Sequence, residues 1–157
     1  MTERDTYLQL QDFYPYRLSV LSNLISEHIA EAYKPYGITI PMWRIMAVLA
    51  EFPGLTATEI AKQIAMDKPA ITRAVKALIA ANYVQREASQ HDGRSSHLQL
   101  TKKGHAIYAQ VTPEALAYEQ ELLSILSASE IRTLDKALSK LFDHCSCLLY
   151  TSPSPRD

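Results

Sequence analysis

Cysteine is nearly absent from the chain, with Cys145 and Cys147 its only two. Separated by a single residue, they cannot staple distant parts of a fold, so no disulfide framework is expected and a reducing cytoplasm is the simplest setting. Glycine is also sparse. Gly37, Gly54, Gly93 and Gly104 are scattered, and no arrangement of them resembles a phosphate-cradling loop or a nucleophile elbow. Long apolar runs are missing too: the longest, Ile45 to Ala50, falls far short of the roughly 20 residues needed to span a bilayer. The N-terminal MTERDTYLQLQDF lacks the basic-then-apolar plan of a secretory signal, and no internal repeat is visible. These absences argue against a secreted mini-protein, a membrane protein, a repeat array and the commoner nucleotide-dependent enzymes.

What is present suits one soluble domain with appended helices. Of the 157 residues, 47% are hydrophobic, enough to build a core, and 21% are charged. The net charge of −1 hides an asymmetry. Residues 60–105 carry eight basic side chains (Lys62, Lys68, Arg73, Lys76, Arg86, Arg94, Lys102, Lys103) against Asp67, Glu87 and Asp92, a net of +5, and the rest of the chain carries −6. A basic centre between acidic arms suggests that the centre meets a polyanion. On charge alone, clustering on a solvated face explains the count equally well.

The apolar residues recur at helical spacing through most of the chain. Leu18, Leu21, Ile25 and Ile29 predict a helix over 16–33, opened by Pro15 and ended by Pro35 and Gly37. Pro41 opens a second helix, MWRIMAVLAEF, closed by Pro53-Gly54. Thr56-Ala57-Thr58-Glu59 has the form of a capping box and predicts a short helix through Ile60 and Ile64. Asp67 is a suitable N-cap for KPAITRAVKALIAA, with Pro69 in the tolerant first turn and a stop near Asn82. Thr101 caps a helix through Ile107 and Val111 that Pro113 is expected to kink or break. Ser127-Ala128-Ser129-Glu130 is a second capping box, and the helix behind it puts Ile131, Leu134, Leu138 and Leu141 on one stripe.

Between Asn82 and Thr101 the period changes to two. Leu98 and Leu100 alternate with His97, Gln99 and Thr101, Tyr83-Val84-Gln85-Arg86-Glu87 can pair with them, and Asp92-Gly93 is a turn signal. The order is helix, short helix, tight turn, helix, hairpin: a helix-turn-helix with a wing. On the helix after Asp67, Ile71, Val75, Leu78 and Ile79 share one arc, and Pro69, Thr72, Arg73 and Lys76 share the opposite one. The first arc belongs to a core. The second is short, basic and hydroxylated towards its N-terminal half, the part of a recognition helix that approaches base edges. Arg73 is the candidate for base readout, because its fork can donate two bonds to guanine O6 and N7. Thr72 suits a thymine methyl or a phosphate, and Lys68 and Lys76 suit phosphates that position without reading sequence.

The wing tip, HDGRSS, holds Arg94 outward. Beside a recognition helix such a tip can reach the flanking minor groove, whose negative potential over A·T-rich sequence favours an inserted arginine. Asp92 can fix the direction of that guanidinium by a charge-assisted bond, and Asp92-Gly93 is also ordinary turn chemistry.

The run LTATEIAKQIAMDKPAITRAVKALIAANYVQREASQHDGRSSHLQLTKKG resembles the winged-helix core of the MarR family of bacterial transcriptional regulators. The resemblance is carried by the capped short helix, by MDKPAITRAVKAL, by the Asp-x-Arg-Ser wing (Asp92, Arg94, Ser95) and by LTKKG, and it extends over roughly 14–145. It implies a mainly α fold with a small β-hairpin: a winged helix-turn-helix lobe over 38–112 and dimerisation helices over 10–36 and 113–147. The tail over 148–157, Ser- and Pro-rich and without periodicity, departs from the family pattern and reads as disordered or artefactual. The resemblance further implies a cytoplasmic homodimer on a pseudo-palindromic double-stranded DNA operator, acting without a cofactor or metal, and a repressor released by a small, often aromatic or phenolic, anion. Arg17 and Trp43 lie on segments that can line a crevice for such an effector, with Tyr14, Tyr16 and His28 as further candidates. Trp43 as core and Arg17 as a surface ion pair are the alternatives.

Two other function classes have some footing. His144-Cys145-Ser146-Cys147 offers soft ligands for a redox- or metal-responsive regulator, but without the Cys-x-x-Cys spacing of common zinc sites. A small enzyme finds less support, since His91, His97 and His105 have no metal-binding period on one helix.

Overall fold

The computed structural model describes residues 7–88 and 96–151. A 3-10 turn (Leu10–Asp12) precedes α1 (Tyr14–Tyr33), and a second (Lys34–Tyr36) follows it. Next come α2 (Ile40–Glu51), α3 (Ala57–Ile64), α4 (Lys68–Ala80), an antiparallel pair β1 (Val84–Ala88) and β2 (Ser96–Leu100), then α5 (Lys102–Leu123) and α6 (Ala128–Thr151). This is the winged helix-turn-helix order with a helix before it and two after. The chain divides into two compact units, Met1–Ala115 and Leu116–Asp157.

The buried core lies in the first unit. Ile45 and Met46 of α2, Ile60 of α3, Ile71 and Leu78 of α4, Leu98 of β2 and Val111 of α5 are fully enclosed. Each of the helices α2 to α5 thus contributes apolar side chains to a shared interior. The wing joins through its alternation: Leu98 and Leu100 are buried while His97 and Gln99 are half-buried. Val84 pairs with Leu100 and Arg86 with Leu98. The segment before α3 extends the pair by one bridge, as Gly54 N donates to Leu98 O at 2.9 Å and Leu98 N to Leu55 O at 2.9 Å.

Local signals explain where the helices start and stop. Glu59 Oε2 accepts from Thr56 N at 2.7 Å and Thr56 Oγ1 accepts from Glu59 N at 3.3 Å, so both halves of the expected capping box are made. Asp67 Oδ1 accepts from Ala70 N at 2.8 Å. α4 ends with Asn82 in the left-handed region at φ +60, Asn82 N donating to Ile79 O and Tyr83 N to Leu78 O at 3.0 and 2.9 Å. That is a Schellman closure with asparagine in the glycine role. α1 and its 3-10 turn stop at Gly37, φ +72, as the Pro35/Gly37 pair predicts. The second capping box, Ser127 with Glu130, opens α6.

Of the kink or break expected at Pro113, the break is overturned: α5 runs through it as one helix. A proline inside a helix deletes one rung of the ladder and crowds the turn before it. Here the preceding turns are fixed by other means, with Val111 fully buried and Ile107 and Tyr108 packed on the core. Thr112 Oγ1 also donates to Tyr108 O at 2.7 Å, adding a bond one residue before the proline. α6 continues to Thr151, into the stretch assigned to the tail.

Candidate nucleic-acid interface

The helix α4 separates core from solvent along its length. Ile71, Ala74, Val75 and Leu78 are buried, and Lys68, Pro69, Thr72, Arg73 and Lys76 are exposed together on the other side. The separation follows from spacing alone, because steps of three and four residues keep both sets in register with the helical turn. Asp67 and Pro69 set where that face begins. Arg73 and Lys76 have no intramolecular partner among the described residues. Thr72 differs: its hydroxyl donates to Lys68 O at 2.9 Å, which commits the proton and leaves the methyl group and the oxygen lone pairs outward. Arg73 also lines a shallow groove of about 350 Å3 against the start of α2, where Ala70, Ala74 and Ala77 keep the helix surface low.

The basic charge around this face is only partly available. Arg86 donates to Ser96 Oγ at 2.8 Å across the hairpin. Lys103 donates to Ala81 O at 3.1 Å and stands 5.0 Å over the Tyr83 ring, so it completes the C-terminal end of α4. Lys62, Lys68, Arg73, Lys76 and Lys102 are exposed. Among the described residues the ion pair between Lys34 and Glu31, 3.7 Å apart, lies at the end of α1 and neutralises none of them. Asp92, Arg94 and Ser95 lie outside the described residues.

The junction behind the face is closely built. Carbonyls of three successive residues, Ala81, Asn82 and Tyr83, accept from Lys103 Nζ, Thr101 Oγ1 (2.6 Å) and Thr101 N (3.0 Å). Gly104 packs so tightly on this turn that a Cβ there would lie 2.0 Å from Tyr83 O. The LTKKG run is therefore a clamp on the end of α4. Periodicity missed this role, because the captured carbonyls lie about twenty residues upstream.

The candidates for an effector crevice separate. Trp43 is stacked between Tyr33 and Tyr108, with ring centroids 5.2 and 5.1 Å away. It lines a crevice of about 170 Å3 with Ser26, Ile29, Tyr33, Ile40 and Arg44. Arg44 donates to Ser26 Oγ at 3.0 Å there, a pair 18 residues apart that no local signal announces. Burial pushes the Tyr33 hydroxyl pKa up, against the opposing charge of Arg44. Arg17 and Tyr14 pair with each other on exposed α1, the guanidinium 5.2 Å from the ring centre. Tyr16 and His28 are also exposed on α1. None of these four lines the crevice.

The cysteines do not converge. Cys145 and Cys147 are exposed on α6, and two residues apart on a helix their side chains point to nearly opposite sides. Among the described residues no three His, Cys, Asp or Glu side chains cluster to hold a metal ion, and no helix is long and apolar enough to cross a membrane.

Comparison with known proteins agrees with this geometry. Residues 36–95 match the model of the MarR family. An HTH-type transcriptional repressor of Mycobacterium tuberculosis is 28% identical over 126 residues, covering 80% of this chain and 91% of the relative. The crystal structure of a mutant MarR from E. coli complexed with operator DNA superposes with a TM-score of 0.75 at 26% identity, covering 86% of this chain and 98% of the other. A MarR/EmrR family transcriptional regulator from Acinetobacter sp. ADP1 reaches a TM-score of 0.80 at 25% identity, covering 88% and 99%.

Proposed function

We propose that this chain, whose residues 36–95 match the MarR family model, is a winged-helix transcriptional regulator of the MarR type: a cytoplasmic homodimeric repressor that reads a pseudo-palindromic operator and is released by a small aromatic or phenolic anion. The observation that carries the DNA reading is the basic face of α4, where Arg73 and Lys76 have no intramolecular partner among the described residues, presented at a capped helix start beside a wing. Arg73 reads a guanine edge and Lys68 and Lys76 hold phosphates. Thr72, its hydroxyl proton already donated to Lys68 O, meets a thymine through its methyl group. Asp92, Arg94 and Ser95 form the wing tip that enters the flanking minor groove, with Arg94 inserted.

The dimer reading rests on apolar side chains left in solvent. Leu18, Leu21 and Leu24 of α1 and Leu134, Leu141 and Phe142 of α6 are all exposed in the single chain. Residues 10–36 and 113–147 form the dimer base, where a second copy covers these faces. The effector enters the crevice lined by Trp43, its ring against the aromatic side chains and its anionic group on Arg44 and Ser26.

The test begins with a duplex that the wild-type protein selects from a random-sequence pool. Arg73→Ala should then cost roughly 1–3 kcal/mol on that duplex and relax the preference at one base position. Lys76→Ala should weaken selected and random DNA alike and lower the salt slope by about one unit. Equal losses on both duplexes for Arg73→Ala would overturn its reading role.

A further inference from the structure

The end of α4 is held from a second side by a bond that the family assignment and the DNA contacts leave unused. Tyr83, 7% exposed, extends from the Schellman turn and donates its hydroxyl to Tyr36 O at 3.0 Å, across 47 residues of sequence. Tyr36 closes the 3-10 turn that continues α1. The ring of Tyr83 lies under the Lys103 ammonium at 5.0 Å, and its backbone carbonyl accepts from Thr101 N. One side chain therefore ties together the end of α1, the end of the recognition helix and the start of α5.

We propose that Tyr83 is a positioning residue for DNA reading: its bond to the Tyr36 carbonyl fixes the tilt of α4, so that Arg73 meets base edges in register. The inference rests on the reading of α4 as the recognition helix. Bidentate contact with a base edge tolerates little angular error, whereas a lysine reaching a phosphate has a long flexible stem and a point charge that tolerate more. A small loss of tilt control should therefore act on sequence discrimination and spare general DNA affinity. Its place is suited to that task. The N-terminal half of α4 carries the reading residues, Tyr83 anchors the opposite end, and a rigid helix turns a shift at one end into a displacement at the other.

Tyr83→Phe removes the hydroxyl and keeps the ring, so the stacking under Lys103 and the buried volume persist. Affinity is measured for the wild-type-selected duplex and for a random duplex of equal length at one salt concentration. The variant should lose about three- to ten-fold on the selected duplex, the scale of one hydrogen bond. It should lose less than two-fold on the random duplex, with an unchanged salt slope. The same substitution made on top of Arg73→Ala should add little further loss, because the contact it positions is already gone. Equal loss on both duplexes, no loss on either, or an undiminished loss in the Arg73→Ala background would each overturn the positioning role. Failure of Arg73→Ala itself to reduce discrimination would instead reject Arg73 as the reader, and the duplex ratio of Tyr83→Phe would still decide whether Tyr83 tilts the helix.

Discussion

The helices α4 and α6 carry the same kind of apolar stripe and meet opposite fates in one chain. In α4, Ile71, Val75 and Leu78 are 0–1% exposed. In α6, Leu134 is 38% and Leu141 48% exposed, and none of the residues whose exposure is described is buried. Period 3.6 states that a face is made to be covered, and it does not state by what. The stripe of α4 finds its cover within the first unit, in α2, α3 and the wing. That of α6 is exposed in the single chain, and in the proposed dimer a second copy covers it.

The largest expected effect tests the covered side. Leu78→Ala should cost about 2–5 kcal/mol in unfolding free energy, because it opens a cavity among residues that cannot all relax. Chemical denaturation should show the same loss at every protein concentration. A loss that shrank on dilution would mean that α4 also depends on a second copy, and the contrast between the helices would fail.

Next in size is the uncovered side. The double substitution Leu134→Ala with Leu141→Ala should leave the unfolding of the lobe nearly unchanged and weaken self-association by roughly ten- to a hundred-fold, since each copy loses two partly buried leucines from the interface. Sedimentation equilibrium reads this directly. Unchanged association would assign the α6 stripe to another cover.

The caps should behave alike on both helices, which sharpens the point that the contrast is tertiary. Asp67→Ala at the start of α4 and Ser127→Ala at the start of α6 should each cost about 1 kcal/mol, read by thermal unfolding and by the loss of helical circular dichroism. A much larger cost at Asp67 would show that this carboxylate does more than cap.

The smallest effect is one of pH. Hydrogen bonds from the backbone and then the hydroxyl of Thr56 hold the Glu59 carboxyl below its usual value of 4.5, and Ser127 does the same for Glu130. A carboxyl with a lowered folded pKa contributes its stability in full above the unfolded value and loses it as pH falls through the folded one. Acid titration of unfolding should therefore show a shallow loss below about pH 4.5, flattened in Glu59→Gln and again in Glu130→Gln.

The parts of this account that were legible in the sequence are those that local rules decide. Both capping boxes, the Asp67 cap, the two arcs of α4 and the burial of Leu98 and Leu100 all follow from spacing within a few residues. The missed features depend on residues far apart in the chain. α5 passes through Pro113 because the core grips the turns before it. Lys103, counted among charges facing a polyanion, is occupied by the end of α4, and Arg44 rather than Arg17 stands beside Trp43. No periodicity reports which distant carbonyl or hydroxyl a long side chain will meet.

The central claim is that two copies, joined through faces the single chain leaves open, read one operator with two recognition helices about 34–36 Å apart. Native mass spectrometry of the protein on its selected duplex measures this most directly. The account predicts a complex of two 17.7 kDa chains per duplex, with the Leu134→Ala, Leu141→Ala variant shifted towards unbound DNA at equal concentration. A complex of one chain per duplex, formed with the same affinity by that variant, would contradict it.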